Sequence, residues 1–470
     1  MFEKRLIYPV SIEIPADVET PVSTFISLAK EGEKAFLLES VERGENIGRY
    51  SFIGFEPELE FIAKKDNVSI RFGNEKNEFK SASPITELKN LLSSFKVVDN
   101  DEVIPLTAGL VGYFSYDCVR YFEKIPDIKP DRLNLPDIYL VLPKILVAFD
   151  HIKQKVIINS FYFDEVDKPL AIEKLKEYEK RFHSNEVNVN KIIEKKSGTI
   201  NLISNFKKET FLKAVEKVKE YIVAGDIFQG VISQRFETET EKNPFDIYRQ
   251  LRMINPSPYM FYIDFVDFKI IGSSPEVMVK KVKDEILVRP IAGTRPRGKN
   301  LEEDLAIEKE LLSDIKEIAE HTMLLDLARN DVGKVSEYNT VRVEKPFHIE
   351  RYSHVMHIVS DVYGKPKKDI SPIDIIGSTF PAGTVTGSPK IRAMEIIEEI
   401  EPEKRGIYAG TVGYIDFRGN FDTCITIRTI IYKNKKVYLQ AGAGIVYDSV
   451  PEKEYQECIN KAKALIKSIL

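Results

Sequence analysis

Apolar and polar residues follow two different periods along this chain, and the period predicts the element that each segment forms. Alternating or short apolar runs that end at Gly, Asp or Asn predict strands, as in KAFLLES, SIRFGNE, TAGLVGYFSYD, IYLVLPKILVAFD, FQGVISQRFE, CITIRTIIY and VYLQAGAGIV. Apolar residues spaced three or four apart predict helices, namely ITELKNLLSSF, FLKAVEKVKEYIVAGD with Gly225 as its C-cap, 302–329, 389–399, and Pro451 to the end. Strands come in consecutive runs and helices in clusters, which predicts an α+β fold with antiparallel sheets.

The same pattern divides the chain into two regions. Residues 1–170 are predicted to be rich in strands, and residues 204–470 form the second region. Between them, residues 171–203 pass from an amphipathic helix into the polar stretch HSNEVNVNKIIEKKSG, which is typical of a linker.

Composition narrows the functional classes. With 43% hydrophobic and 30% charged residues, the 470-residue chain can bury a sizeable core. The formal net charge of −5, without a basic block, argues against nucleic-acid binding. We expect no signal peptide and no membrane span, because no run of about 18 apolar residues occurs. Cys118, Cys424 and Cys458 form no CxxC pattern, which indicates a reduced, cytoplasmic protein.

Two pairs of glutamates are candidate metal ligands. Glu317 and Glu320 stand three residues apart on one predicted helix, and Glu454 and Glu457 repeat that spacing near the C-terminus. Two facing helices of this kind would form an all-oxygen site suited to a hard cation such as Mg²⁺. The alternative is a pair of solvated helix faces, since nothing in the spacing itself brings the two helices together.

Two glycine-rich segments are candidate anion sites. In PAGTVTGSPK, Ser388 fits the N-cap of the next helix and Pro389 its first turn. Free backbone N–H groups there would bind an anion together with side chains, the candidates being Thr384, Thr386 and Lys390. The second segment, QAGAGIVYDS, overlaps the end of the predicted strand VYLQAGAGIV, and its glycines are predicted to form a turn that presents backbone donors from Gly442, Ala443 and Gly444. Either segment is alternatively a tight structural turn.

Three isolated polar residues complete the candidates. Arg428 interrupts the apolar run CITIRTI, so it is expected to reach an anion or a buried carboxylate. His354 and His357 could each transfer a proton or could simply be core histidines. The chain has no G-x-S-x-G elbow and no cysteine in a nucleophile setting, which argues against a covalent hydrolase.

Several motifs, in order, closely resemble those of the chorismate-binding enzymes, and within that family the branch that makes anthranilate. They are PIAGT, AEHTMLLDLARND, AGTVTGSPKIRAMEIIEEIEP, RGIYAGTVGY, TCITIRT and QAGAGIVYDSVPEKEYQECINKAKAL. The resemblance runs from about residue 204 to 466. It implies two antiparallel sheets packed on one another in a sandwich with helices outside. It also implies an Mg²⁺-dependent lyase that converts chorismate and ammonia to anthranilate and pyruvate, the first committed step of tryptophan biosynthesis.

The resemblance also assigns roles to residues. Glu320 and Glu457 are the implied principal Mg²⁺ ligands, with Glu317 and Glu454 in the same shell or one water away. His357 would assist proton abstraction, Thr384 would help to position the substrate, and His354 would be structural. The implied substrate contacts are Gly293, Thr294, Tyr408, Arg428, Gly442, Ala443, Gly444 and Lys461.

Two positions distinguish the reactions within this family. Relatives that make aminodeoxychorismate carry a lysine nucleophile where this chain has Ala292. Relatives that make isochorismate carry a lysine base where this chain has Gln229, and glutamine is a poor base. Both positions therefore favour a free nitrogen nucleophile and anthranilate as the product. The alternatives are those two sister activities or a tryptophan sensor without catalytic activity.

The resemblance further implies regulation and a partner. Tryptophan would bind as a feedback inhibitor between the two regions, which are then interleaved in space, at Ser40 of LLES and at Pro258, Tyr259 and Met260 of NPSPYM. The chain has no amidotransferase signature with a nucleophilic cysteine. Ammonia from glutamine is therefore expected to come from a separate glutamine amidotransferase subunit (component II).

Overall fold

The protein was analysed as a computed structural model, which describes residues 4–40, 48–98, 104–183, 202–352 and 355–470. Its α-helices are α1 Pro21–Leu28, α2 Pro84–Ser94, α3 Lys168–His183, α4 Lys208–Val223, α5 Pro244–Ile254, α6 Leu301–Ser313, α7 Ile315–Val335, α8 Pro372–Thr379, α9 Lys390–Ile400 and α10 Pro451–Ile469. Its strands in the first half are β1 Arg5–Pro15, β2 Ala35–Glu39, β3 Tyr50–Lys64, β4 Asn67–Phe72, β5 Glu75–Lys80, β6 Phe95–Val97, β7 Gly109–Phe114, β8 Ile138–Asp150, β9 Lys155–Tyr162, β10 Ile203–Ser204 and β11 Gln229–Glu239. The later strands are β12 Tyr259–Asp264, β13 Lys269–Ser274, β14 Val277–Val282, β15 Glu285–Val288, β16 Ile291–Pro296, β17 Arg342–Arg351, β18 Val355–Gly364, β19 Gly387–Ser388, β20 Thr411–Asp416, β21 Phe421–Ile425, β22 Thr429–Lys433 and β23 Lys436–Ile445.

Strand pairing spreads in two directions from the long strands β3 and β8, which pair with each other. In the first direction, the first half of β3 pairs with β2, and the second half of β8 pairs with β9. From β2 the pairing continues through β12, β13, β22 and β23 to β11. In the second direction, the second half of β3 pairs with β4, and the first half of β8 pairs with β7. From β7 the pairing continues through β20, β21, β14 and β15 to β18. All of these pairs are antiparallel, so the predicted α+β fold is confirmed.

A hydrophobic core joins the two sides. Strands from both directions contribute buried side chains to one cluster, including Phe36, Val111, Phe261, Ile270, Val412, Cys424 and Ile431. Helices pack against the strands, with α10 on β23, α7 on β16 and β18, and α3 on β9. Among the described helices, none is both long and apolar enough to cross a membrane.

The single helix predicted over 302–329 is wrong, because two helices, α6 and α7, occupy this segment. Asp314 separates them: it has extended backbone angles, and its carboxylate accepts hydrogen bonds from the backbone N–H groups of Lys316 and Glu317. An acidic N-cap of this kind satisfies the free donors of a helix start. As a result, Glu317 and Glu320 stand in the first two turns of α7.

The predicted capping by Ser388 is also wrong. Pro389 is the N-cap of α9, and Ser388 instead belongs to the short strand β19 opposite Gln229 of β11. Lys390 does not face an anion site, because its ammonium lies 2.6 Å from the carboxylate of buried Asp331. The Thr386 hydroxyl likewise has a structural partner, the carbonyl oxygen of Ala382.

A helix occupies the first part of the predicted linker between the two regions. Residues 168–183 form α3, which buries Leu175 and Tyr178, and the rest of the predicted linker, 184–201, lies outside the described residues. Strands from the two sides of this segment hydrogen bond to one another, since β2 pairs with β12 and β7 with β20. The division into 1–170, 171–203 and 204–470 stays a prediction.

Candidate active site

The two pairs of glutamates meet although they lie far apart in the sequence. Burial raises the pKa of Glu320, and repulsion from Glu317 and from Glu457 of α10 raises it further. Burial also raises the pKa of Glu454, with Glu457 adding to the rise and Lys316 of α7 opposing it. Charges influence one another in this way only across short distances. The start of α7 and the start of α10 therefore face each other across one site.

The chemistry of this donor set fits a hard divalent cation, which prefers carboxylate oxygens. As placed, however, no three His, Cys, Asp or Glu side chains of the described residues could hold a metal ion together. Two of the four glutamates are held in ion pairs instead: Glu317 lies 2.9 Å from Arg295, and Glu457 lies 2.6 Å from Lys461. The set fits such an ion provided that Glu317 and Glu457 leave these partners.

A histidine and a threonine stand opposite each other beside the glutamates. Strand β16 pairs with β18 so that Thr294 lies opposite His357. Nδ1 of His357 lies 3.0 Å from the carbonyl oxygen of Gly293 and 3.1 Å from Oγ1 of Thr294. Because a carbonyl can only accept, we assign the proton to Nδ1, which leaves Nε2 free to accept a proton. His354 lies outside the described residues.

The electrostatics of His357 favour its neutral form. Burial lowers the pKa of His357, the hydrogen bond to Gly293 opposes this, and the positive charge of Arg428 lowers it further. A neutral imidazole with a free Nε2 can act as a general base at neutral pH.

Gly293 is required by both conformation and space. Its φ of 62° lies in the left-handed region, at a bulge between Ala292 and Thr294. A Cβ added at this position would lie 3.2 Å from Oε2 of Glu317. The glycine therefore lets the strand pass close to the first glutamate of α7.

Two cations and a phenol form the neighbouring wall. Arg428 lies between β21 and β22 with a φ of 51°, and burial lowers its pKa while Tyr408 and Glu457 oppose the fall. Burial raises the pKa of Tyr408, so the phenol stays protonated. Lys461 donates from Nζ to the carbonyl of Gly442 at 3.0 Å. An open cavity of about 540 Å³ lies against Arg428, Glu457 and Lys461, so positive groups face a space where an anion can bind.

The segment QAGAGI is part of β23, so the strand predicted over VYLQAGAGIV is confirmed and the turn predicted at its glycines is wrong. Gly442, Ala443 and Gly444 lie within β23, opposite Ser233, Ile232 and Val231 of β11 respectively. The other neighbour, β22, pairs only with 436–439 of β23, which leaves the second edge uncovered by β22 at 442–444. Backbone donors at this edge remain available to a ligand, although the Ala443 side chain itself is buried in the core.

The two positions predicted to distinguish the reactions lie in the same site. Gln229 donates from Nε2 to Oε1 of Glu320 at 3.1 Å. A Cβ at Gly444 would come within 2.9 Å of that Nε2, so the glycine makes room for the amide. Ala292 is buried beside Gly293 and pairs with Ile358. Neither position offers an amine.

Glu276 is a candidate that the sequence reasoning missed. It is only 9% exposed, and burial raises its pKa to about 8, with the Thr384 hydroxyl and the Lys461 ammonium opposing the rise. Glu276 and Thr384 line one cavity of about 40 Å³. Within the described residues the buried Thr384 hydroxyl makes no hydrogen bond, although it lies close enough to act on the Glu276 carboxyl. The available signal was a lone glutamate between two apolar strands, in KIIGSSPEVMV.

Comparison with known proteins shows which family the chain belongs to. A family model described as chorismate binding enzyme matches residues 33–467. The chain belongs to the chorismate-binding enzyme family. Enzymes of this type are generally metal-dependent, which agrees with the carboxylate chemistry of α7 and α10.

Individual relatives of this chorismate-binding enzyme match along nearly the whole chain. The anthranilate synthase component 1 of Acetivibrio thermocellus is 47% identical over 471 residues, covering 98% of this chain and 95% of the relative. That of Aquifex aeolicus is 47% identical over 472 residues, covering 99% and 95%. The crystal structure of anthranilate synthase component I from Streptococcus pneumoniae has a TM-score of 0.81 at 35% identity, covering 96% of this chain and 98% of that one.

A second cavity of this chorismate-binding enzyme gathers the residues of LLES and NPSPYM. A space of about 110 Å³ is lined by Ser40, Pro258, Tyr259 and Met260, together with residues of β20 and β21. The Ser40 hydroxyl is buried and has no hydrogen-bond partner among the described residues. A buried hydroxyl without a partner is costly unless a ligand or water satisfies it.

Proposed function

We propose that this chain is an anthranilate synthase component I, which converts chorismate and ammonia to anthranilate and pyruvate. The names of the full-length relatives support this reaction. The observation that carries the choice among sister reactions is the contact of Gln229 with Glu320. The residue at this position touches a proposed metal ligand, and it is an amide that cannot activate water as a lysine base would.

The substrate is a dianion, and the site offers matching groups. In this proposal the Arg428 guanidinium, the Tyr408 phenol and the uncovered edge of β23 bind the enolpyruvyl carboxylate. Lys461 and the metal bind the ring carboxylate. Gly293 and Thr294 lie against the ring, because small side chains there permit close approach.

The proposed metal is Mg²⁺, with Glu320 and Glu457 as ligands and Glu317 and Glu454 in the same shell or one water away. When bound, Mg²⁺ neutralises the ring carboxylate and favours departure of the C4 hydroxyl. The protein contributes the ligand carboxylates and the hydrogen bond from Gln229 that orients Glu320.

Two side chains would move protons in the two steps. Ammonia adds at C2 while the C4 hydroxyl leaves, and Glu276, whose pKa of about 8 keeps it protonated at neutral pH, gives that hydroxyl its proton so that water departs. The ammonium group formed at C2 loses one proton to solvent and becomes the amine. In the second step Nε2 of His357 accepts the C2 proton as the enolpyruvyl group leaves. That group takes up a proton at its methylene carbon and becomes pyruvate, and the ring becomes aromatic. Thr384 is proposed to position the substrate beside Glu276.

The direct test is a product assay. The purified chain, incubated with chorismate, Mg²⁺ and an ammonium salt at mildly alkaline pH, is expected to form anthranilate and pyruvate in equal amounts. Anthranilate is followed by fluorescence and pyruvate by a coupled reduction. Omitting ammonium is the control and should stop both products. Isochorismate or aminodeoxychorismate as the only product would replace this proposal with a sister activity, and tryptophan binding without turnover would replace it with a sensor.

The proposal includes a partner and an inhibitor. A glutamine amidotransferase subunit would supply ammonia. Tryptophan would bind in the cavity of about 110 Å³, where the Ser40 hydroxyl, which has no hydrogen-bond partner among the described residues, can bond to it. Because β2, which ends beside Ser40, pairs with β12, which carries Tyr259 and Met260, occupancy of this cavity acts on strands from both predicted regions.

Ser40→Phe is expected to remove inhibition by tryptophan while leaving the uninhibited rate within about twofold. The phenyl ring fills the cavity without touching the glutamates of α7 and α10. The measurement is the tryptophan concentration that halves the rate, which should rise by at least about tenfold, a loss of about 1.4 kcal/mol of binding free energy. Ser93→Phe, at an exposed position of α2, is the matched control and should keep normal inhibition. Unchanged inhibition in Ser40→Phe would rule out this pocket.

A further inference from the structure

Arg295 holds the first glutamate of α7. Its guanidinium contacts three carboxylates, those of Glu317 at 2.9 Å, Asp314 at 2.8 Å and Glu310 at 2.9 Å. The last two belong to the junction of α6 and α7 and lie outside the proposed ligand set. Arg295 can therefore give up Glu317 and keep two other partners.

Lys461 holds the last glutamate of α10 in the same way. Its ammonium lies 2.6 Å from Glu457 and 3.0 Å from the carbonyl of Gly442, and it borders the open cavity beside Arg428. If Glu457 turns toward a metal, Lys461 stays at this cavity with an unpaired positive charge. An anionic substrate carboxylate is the natural replacement for Glu457.

We propose that Arg295 and Lys461 are resident counter-ions of the metal site, which a divalent cation must displace from Glu317 and Glu457 before it can bind. This inference rests on the proposed function and concerns the order of binding. The free enzyme then binds Mg²⁺ weakly. Chorismate strengthens metal binding, because its carboxylates compensate the cations that the glutamates release.

Electrostatics gives the direction and size of the effect. A fixed positive charge within a few ångströms of a divalent cation opposes its binding, and at the partly exposed start of α7 the effect is on the order of tenfold in affinity. Two substrate carboxylates act in the opposite direction. By linkage, Mg²⁺ must strengthen chorismate binding by the same factor as chorismate strengthens Mg²⁺ binding.

The test is calorimetric titration of the full chain with Mg²⁺, without ammonium, in the absence and presence of chorismate. The wild type is expected to bind Mg²⁺ at least about tenfold more tightly with chorismate. Arg295→Gln is expected to bind Mg²⁺ about tenfold more tightly than the wild type when chorismate is absent, and to gain less from chorismate. Arg295→Lys keeps the charge and should resemble the wild type.

Arg297→Gln is the matched control. Arg297 directly follows the strand β16 that contains Arg295, but it pairs with Asp304, at 3.0 Å, instead of Glu317. Its removal should leave the Mg²⁺ affinity within about twofold of the wild-type value. Thermal unfolding of each variant checks that the fold is kept. If Arg295→Gln does not fold, Lys461→Gln provides the same test at the other glutamate, with the same expected direction.

The outcomes separate this inference from the function on which it rests. Suppose that the wild type binds Mg²⁺. The exchange of counter-ions is then overturned if Arg295→Gln has an unchanged or weakened Mg²⁺ affinity, or if chorismate has no effect on that affinity. The proposed metal site itself would still be supported. Absence of Mg²⁺ binding in the wild type under both conditions overturns the proposed metal site itself.

Discussion

Glu320→Gln is expected to lower kcat/KM for chorismate by at least about 1,000-fold, equivalent to about 4 kcal/mol of transition-state stabilisation. The substitution preserves the shape of the side chain but removes the charge of a proposed metal ligand. Burial and two neighbouring glutamates raise the pKa of Glu320 in the folded protein above its ordinary value. At neutral pH the charged carboxylate is therefore less stable in the folded than in the unfolded chain, so Gln should keep or raise the melting temperature.

The paired measurement is kcat/KM across a range of Mg²⁺ concentrations together with thermal unfolding. Glu457→Gln should lose activity to a similar extent, because Glu457 is the second proposed principal ligand and comes from α10. Asp326→Asn is the matched control: Asp326 lies on α7, is exposed and contacts Arg329 three residues on. It should keep activity within about twofold. Near-normal rates for Glu320→Gln at low Mg²⁺ would refute the metal assignment.

The second large effect is expected at Glu276. Glu276→Gln removes the proposed proton donor to the leaving hydroxyl, and loss of a general acid lowers kcat by about 100- to 10,000-fold. The sign of the pH dependence follows from a raised pKa of about 8: the protonated form dominates below this pH and is lost above it. The wild-type kcat, measured at a constant concentration of free ammonia, should therefore fall as the pH rises through about 8, and Glu276→Gln should lack this fall.

A variant of a second buried glutamate serves as a control, because it distinguishes the loss of proton transfer from a loss of stability. Glu60 is also buried, but its pKa is lowered by hydrogen bonds and ion pairs that outweigh burial, with Lys34, Tyr139 and Arg71 as partners. Glu60→Gln should lower the melting temperature yet keep the fall in kcat near pH 8. If Glu276→Gln retains that fall, another group is the acid and the assignment is wrong.

Local patterns predicted the elements that carry the site. The helical period before the C-terminus predicted α10 and therefore the common face of Glu454 and Glu457. The polar interruption of CITIRTI predicted that Arg428 would reach an anion or a buried carboxylate. The single strand predicted over CITIRTIIY is wrong, because it forms two strands, β21 and β22, with Arg428 between them. Both features depend on residues within about ten positions of each other, where backbone periodicity and the cost of burying a charge act directly.

Features that depend on distant parts of the chain could not be predicted from local sequence patterns. The strand pairing of Gly442 and the burial of Glu276 each depend on what packs against a short segment, which its own sequence does not specify. The predictions of a turn at QAGAGIV and of capping by Ser388 failed because the distant strand β11 pairs with both segments. The break at Asp314 is different, because its acidic N-cap is a local feature that the prediction of one helix over 302–329 overlooked.

The sequence by itself determined which residues could do the chemistry: two pairs of carboxylates, a histidine, an arginine, and the amide of Gln229 and the methyl group of Ala292 at the two positions predicted to distinguish the reactions. Only the tertiary structure decided that α7 and α10 face each other, that Glu276 is buried beside Thr384, and that Arg295 and Lys461 hold Glu317 and Glu457. The physical reason is that charge and burial act through space. The same carboxylate can be a solvated surface group or a buried group with a raised pKa, depending on which distant segments the fold brings beside it.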